Sequence, residues 1–410
     1  METIYPDCAG LDVHKDSVYA CVRHLPAGGK LRQEVRCFGT STRALLELFD
    51  WLAAEGVTHV AMESTGVYWK PIWNVLEGRF DVMVVNARHI KQVPGRKTDV
   101  KDCQWIAQLL QHGLLSRSFV PDRPARELRD LTRQRAQLIQ ERSRVANRVQ
   151  KTLEDANIKL ASVASDVLGA SGRQMIQALI DGKQTPGQMA ELAKRRLREK
   201  IPQLREALSG RVTDHHRFML RQLMEQLRHL EGQVESFDGR IEQVMRPLEQ
   251  TAVRMLDQIP GLDVRAAQNV VAEIGVDMSR FASAGHLSAW AGMCPGNNRS
   301  AGKRKHGKMT EGNRWLKRTL TQCAWAASRT KGTYFQAQYR RLAGRRGKKR
   351  AAAAVGHSQL VAAYHMLRDG TAYEELGPNH FDNLAESQRT GHLVKRLEKL
   401  GFRVTLEKAA

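Results

Sequence analysis

Four carboxylates sit where chemistry could be done. Asp12 closes a β-rich run, in Gly10-Leu11-Asp12-Val13-His14-Lys15, and Glu63 closes another, in Ala61-Met62-Glu63-Ser64-Thr65-Gly66. Asp99 and Asp102 lie three apart near the start of an amphipathic stretch, so on a helix they share one face. Each alone reads as a turn residue or a helix-dipole partner. Brought together, they repel one another unless cations neutralise them, and hard oxygen ligands select Mg²⁺ or Mn²⁺. Two such ions about 4 Å apart activate and stabilise the oxygens of a phosphoryl transfer.

A second constellation lies near residue 300. The stretch from Cys294 to Lys308 is a polar loop that holds Ser300, followed at once by Lys303, Arg304, Lys305 and Lys308. A serine hydroxyl is a weak nucleophile that needs a base, a metal or charge stabilisation. Nearby cations suit the charge of a phosphoryl transition state. The same composition also describes a solvated turn or a plain phosphate clamp. Upstream, Ser279, Ser283 and Ser288 read as helix-cap or helix-face residues.

These side chains need a scaffold. Three β-rich runs, Cys8–Val13, Ser17–His24 and Leu31–Phe38, are separated by short turns. A helix follows the Thr40-Ser41-Thr42 cluster, with Ala44, Leu45, Leu48, Phe49 and Leu52 on one face. Strands at Val57–Met62 and Phe80–Val85 flank a helix at Lys70–Leu76, and a last helix runs from about Thr98 to Gln111. The order β-β-β-α-β-α-β-α is that of a ribonuclease H-like fold. There the first and fourth strands end side by side, the last helix packs across them, and the four carboxylates converge.

Residues from about Arg123 to Lys151 form a long helix rich in Arg and Gln. Leu220, Leu223, Leu227, Leu230, Val234, Phe237, Ile241, Val244 and Leu248 alternate spacings of three and four, the pattern of a coiled-coil seam. A weaker version, Leu131, Leu138, Val145 and Val149, lies on the first helix, so the two either pair as an antiparallel hairpin or meet partner subunits. Ala161 to Pro202 shows no motif. Ile259-Pro260-Gly261-Leu262 between helical stretches has the shape of a helix-hairpin-helix element, whose turn amides can hold a DNA phosphate at Pro260 and Gly261. Any αα-corner has the same look. An amphipathic helix follows at Trp315–Ser328, with Arg314 at its start. The expected class is α/β plus all-α: residues 1–120 ribonuclease H/RuvC-like, 121–250 helical and coiled coil, 251–370 a helical domain with the serine loop, and 371–410 a tail.

Charge names the partner class. In 410 residues the formal net charge is +22, and two thirds of it falls between Lys303 and Arg350, where Glu311 is the one acid. That imbalance points to a polyanion, with nucleic acid first. A hydrophobic share of 42% suffices for sizeable cores, so global disorder is excluded. No long apolar window predicts a membrane span, and Met1 to Gly10 lacks a secretory signal. The six cysteines form no CxxC pair, which disfavours a zinc knuckle and suits a reducing cytosol.

Asp12-Val13-His14-Lys15, Glu63-Ser64-Thr65-Gly66-Val67-Tyr68 and Lys97-Thr98-Asp99-Val100-Lys101-Asp102 resemble the N-terminal motifs of the DEDD-type insertion-sequence transposases, relatives of the pilin-gene DNA invertases. Ile259-Pro260-Gly261, Ala289-Trp290-Ala291-Gly292, Pro295-Gly296, Ser300-Ala301-Gly302-Lys303 and Gly312-Asn313 resemble their C-terminal motifs. The resemblance covers about residues 5–115 and 250–335. It implies a RuvC-like domain, of Holliday-junction resolvase type, joined to a transposase domain. It further implies that Asp12, Glu63, Asp99 and Asp102 bind metal and that Ser300 attacks DNA to form a transient phosphoserine link. A structured non-coding RNA is implied as guide to donor and target DNA. So is a homo-oligomer, dimer or tetramer, in which one subunit's acids face another's serine, in the bacterial cytoplasm at the nucleoid.

Two other readings compete. A metal-dependent junction resolvase needs only the first domain. An architectural DNA- or RNA-binding protein needs no live site.

Overall fold

The computed structural model describes residues 2–26, 28–63, 66–86, 102–296, 298–300, 303–306 and 309–405; for 298–300, 303–306, 384–389 and 391–392 it describes the backbone. The chain divides into two compact units, Met1–Pro121 and Asp122–Ala410.

In the first unit, β1 (Asp7–Val13), β2 (Ser17–His24) and β3 (Arg32–Gly39) form an antiparallel meander. Helix α1 (Thr42–Ala54), capped by the Ser41 hydroxyl, crosses to β4 (His59–Glu63), which pairs parallel with β1. Helix α2 (Trp69–Leu76) then leads to β5 (Asp81–Val85), parallel to β4. The sheet order is β3-β2-β1-β4-β5, with β1 and β4 side by side as a ribonuclease H-like fold has them.

Strand alternation sorts β1 between two cores. Ala9, Leu11 and Val13 join Leu45, Leu48 and Leu52 of α1 and Ile72 and Leu76 of α2 on one face. Cys8, with Ala61 of β4, faces Trp105, Ile106 and Leu109 of α3 (Asp102–Gln111) on the other. Gly10 makes this second packing possible. A Cβ there would lie 2.3 Å from the Ala107 amide nitrogen and 2.4 Å from the Cys103 carbonyl, so helix backbone rests directly on strand backbone.

In the second unit, α4 (Arg123–Asp155) and α5 (Asp214–Val244) pair antiparallel within the chain, one of the two arrangements the heptads allowed. Arg135 meets Asp238 at 2.9 Å, Arg142 meets Glu231 at 2.9 Å, and Arg148 reaches Gln226 at 3.4 Å, partners that step backwards along α5. Leu138, Val145 and Val149 pack with Leu220, Leu223, Leu227, Leu230 and Val234 in one core, roofed by helical turns between residues 160 and 207. The apolar repeat outruns its helix. Pro247 ends α5 at Val244, and Leu248 sits 73% exposed on α6 (Pro247–Leu256).

The second core of this unit gathers α6, α7 (Val264–Ile274), α8 (Ala284–Trp290), α9 (Arg314–Ala327) and α11 (Lys348–Asp369), with α10 (Tyr334–Arg346) beside it. The turn between α6 and α7 holds Gly261 at φ +88°, with the Cys323 carbonyl 2.4 Å from where a Cβ would stand. Between α8 and α9 the chain forms a hairpin, β6 (Asn298–Ser300) against β7 (Lys303–His306), where an irregular loop was expected. Its strands carry Arg, Lys and His rather than alternating apolar residues, so they escape a hydrophobicity pattern. Among the described residues no helix is long and apolar enough to cross a membrane.

Candidate active site

Three of the four predicted carboxylates come together in the first unit. Leu11 is paired with Met62 in parallel β1 and β4, so Asp12 and Glu63 stand next along the two strands, both on the face that α3 covers. Asp102 opens α3, which the bare backbone at Gly10 holds against β1. Their fields meet at Asp12. Burial pushes its carboxyl above the ordinary 3.8, the facing His14 pulls it down, and the Asp102 and Glu63 carboxylates push it up again. Asp99 lies outside the described residues.

His14 was read only as part of a motif, yet its Nε2 lies 3.1 Å from Asp12 Oδ2. Its place two residues on, past the strand end, is the one signal that could have marked it.

Oxygen donors that repel one another at a half-open strand end fit a hard divalent cation. Among the described residues, no three Asp, Glu, His or Cys side chains already stand at coordinating distance.

The serine lies in the second unit. Ser300 pairs with Lys303 and Arg299 with Arg304, so Ser300 ends β6, three residues before β7 begins. Lys303, Arg304 and Lys305 belong to β7, while Lys308 lies outside the described residues. The hairpin rises from a closed base. Pro295 bridges Met309, the Thr310 amide donates to the Cys294 carbonyl at 3.0 Å, and Lys317 Nζ donates to the Thr310 carbonyl at 3.1 Å. Gly292 and Gly312 meet backbone to backbone, since a Cβ on Gly312 would lie 2.3 Å from the Gly292 nitrogen. The upstream serines have structural work: Ser283 caps α8, and Ser279 donates to Asp277 at 2.6 Å. Ser288 is fully buried.

The predicted nucleic-acid contacts are spread apart. Arg314 is exposed, its guanidinium 5.2 Å from the Trp315 ring, which Arg133 also approaches at 5.8 Å. Pro260 and Gly261 are half-buried, and the Pro260 carbonyl accepts from Gln359 at 2.9 Å. A further basic surface runs along Arg340, Arg341, Arg345, Arg346, Lys348, Lys349 and Arg350, all exposed.

A 3-2-1-4-5 sheet whose two central parallel strands end in carboxylates, under a helix that opens with a third, defines a ribonuclease H-like phosphoryl-transfer domain. Family matches go further. Residues 9–158 match the DEDD_Tnp_IS110 transposase family, and residues 253–340 match the transposases of the IS116/IS110/IS902 family. No curated protein matches the chain. The two stretches together span more than half of the sequence, and the chain belongs to the IS110-type DEDD transposases, enzymes that act on DNA. A DEDD domain implies a divalent metal.

Proposed function

We propose that this transposase excises and rejoins the DNA strands of an insertion sequence through a covalent serine intermediate, with a structured non-coding RNA choosing donor and target. Asp12, Glu63, Asp99 and Asp102 hold the metal, Mg²⁺ or in its place Mn²⁺, which supplies charge neutralisation at the scissile phosphate. The observation that carries the acidic-site part of the reading is the parallel register of Leu11 with Met62, which sets Asp12 and Glu63 side by side on the face where Gly10 seats the helix that Asp102 opens. Ser300 Oγ attacks phosphorus. A P–O bond to serine forms as one P–O bond of the DNA breaks; the serine proton departs and the released strand oxygen takes one up. Attack on the phosphoserine by a DNA hydroxyl then frees the serine and joins the new strands.

Lys303, Arg304, Lys305, Lys308 and Arg314 neutralise phosphates near the serine, and the Pro260-Gly261 turn receives a backbone phosphate at the start of α7. The α4–α5 pair serves as a coiled-coil arm in a dimer or tetramer that brings acids and serine of different subunits to one phosphate. The enzyme works at the nucleoid, in the bacterial cytoplasm.

Ser300→Ala tests the reading on supercoiled DNA that carries the element ends, with RNA transcribed from the element's flank. Loss of strand exchange and of the covalent protein–DNA adduct is expected, with DNA binding kept. Continued strand cutting without any adduct would mark a metal-dependent resolvase instead.

A further inference from the structure

Glu273, one residue before the end of α7, is 2% exposed. A carboxylate so placed is costly unless charge and hydrogen bonds surround it. Here they do. Its Oε1 accepts from Arg133 Nε at 2.7 Å, and its Oε2 accepts from Arg133 Nη2 at 2.8 Å and from Asn313 Nδ2 at 2.6 Å. Arg129, one turn earlier on α4, lies 3.6 Å from the same carboxylate and donates to the Ala272 and Glu273 carbonyls that end α7. One buried anion therefore ties α4, the end of α7 and Asn313 together.

Asn313 is the point where the hairpin segment returns to the helices. Its Oδ1 caps α9 by accepting from the Trp315 and Leu316 amides at 3.0 and 3.1 Å. Both ends of this one amide are thus engaged, and the Glu273 contact sets which way it faces. Its neighbour Gly312 is the residue pressed against Gly292, so the amide's setting also sets the closure of the hairpin base. Beside the carboxylate a cavity of about 10 Å³, lined by Thr132, Arg133, Asn269, Trp315 and Thr319, has room for one water at most. Buried ion pairs can often be replaced by apolar side chains without loss of stability. What an apolar residue cannot do is orient the Asn313 amide.

We infer that Glu273 is a positioning residue for the serine hairpin, acting through Asn313 and held in place by Arg129 and Arg133. The inference rests on the reading of Ser300 as nucleophile. In Glu273→Gln the side chain can turn a donor toward Asn313 Nδ2 or toward the arginines, and the amide loses its fixed facing. In Asn313→Asp the α9 cap survives but two carboxylates oppose each other. The double variant Glu273→Gln with Asn313→Asp exchanges the two groups and restores one N–H···O contact across the same gap.

The test is a double-mutant cycle on the full chain with element-end DNA and the RNA from the element's flank, reading the single-turnover rate of adduct formation at saturating DNA. Each single variant is expected to slow that rate by about 100-fold, the cost of a misplaced reacting group, with DNA affinity changed less than about 2-fold. The exchange variant is expected to recover at least about a tenth of the wild-type rate. Singles that lose only melting temperature, or an exchange variant no faster than the better single, would overturn the inference. If Glu273→Gln does not fold, Asn313→Asp against the exchange variant gives the same comparison. Ser300→Ala runs alongside: an adduct that persists there overturns the serine reading, whereas its loss with an unaffected Glu273→Gln rate overturns this inference alone.

Discussion

The Gly10 α-carbon of β1 sits beneath the Cys103 carbonyl of α3, where a single added carbon would lie 2.4 Å from the oxygen. Two residues further along β1 is Asp12, and one residue before Cys103 is Asp102. The contact that lets helix touch strand is therefore also what sets one candidate-site carboxylate against another. Gly10→Ala is expected to push α3 off the sheet, to destabilise the first unit by about 1–3 kcal/mol, and to abolish DNA cleavage. Thermal melting alongside a cleavage assay checks both, and wild-type cleavage in Gly10→Ala would refute the link.

Asp12 gives a pH signature. Its folded-state pKa lies above the ordinary 3.8, with burial as the first cause. The folded chain therefore holds the proton to higher pH than the unfolded chain does. The stabilisation this brings is complete below 3.8 and is lost as pH rises through the raised value, leaving a penalty at neutral pH. Asp12→Asn is expected to melt higher than wild type in EDTA at neutral pH and to flatten that slope. Adding Mg²⁺ should raise the wild-type melting temperature and leave Asp12→Asn unmoved.

Arg135 is 1% exposed and binds Asp238 at 2.9 Å, Gln268 at 2.6 Å and Asn269 at 2.9 Å. It joins the long helix pair to α7. Arg135→Ala would strand those partners, and a loss of about 3–5 kcal/mol is expected. Urea denaturation gives the value; a change below about 1 kcal/mol would show the network to be dispensable.

Gly261 needs both its positive φ and its missing side chain. In Gly261→Ala a lowered melting temperature should accompany any loss of DNA binding, since the added carbon meets the Cys323 carbonyl and the Ala327 nitrogen of α9. Pro260→Ala spares that contact. Because proline offers no amide donor, a phosphate-holding turn is expected to keep its DNA affinity in Pro260→Ala while losing it in Gly261→Ala.

Arg345, Arg346, Lys348 and Lys349 are exposed. If each neutralises one duplex phosphate, their joint replacement by Gln lowers the log–log salt slope of DNA binding by about 3–4. A titration between low and moderate salt reads the slope, and an unchanged slope places the DNA elsewhere.

Much of the first unit was legible because its inner strands, β1 above all, are packed on both faces. Ala9 and Leu11 lie in one core and Cys8 in another, so β1 reads as an apolar run broken by Gly10 and Asp12. The carboxylates could be placed because strand order follows from element order. Other features left little trace. The hairpin's strands are cationic, and the turns between residues 160 and 207 are mostly too short to show a period. Heptad spacing predicted the long helix but overran its end, where Pro247 carries the stronger signal. Glu273 looks like any surface acid in Ala272-Glu273-Ile274, because burial of a charge depends on partners 140 and 40 residues away. His14 escaped for the same reason: its contact with Asp12 depends on how the chain turns after β1.

The meeting of Gly292 with Gly312 makes the nineteen residues between them a cassette with a fixed socket. The ends of that cassette are rooted in the core beneath, Met293 buried at 3% exposure and Met309 packed against the same cluster, so the socket belongs to the helices as much as to the hairpin. A change in the helices that shifts Gly292 or Gly312 is therefore felt at the base of the hairpin.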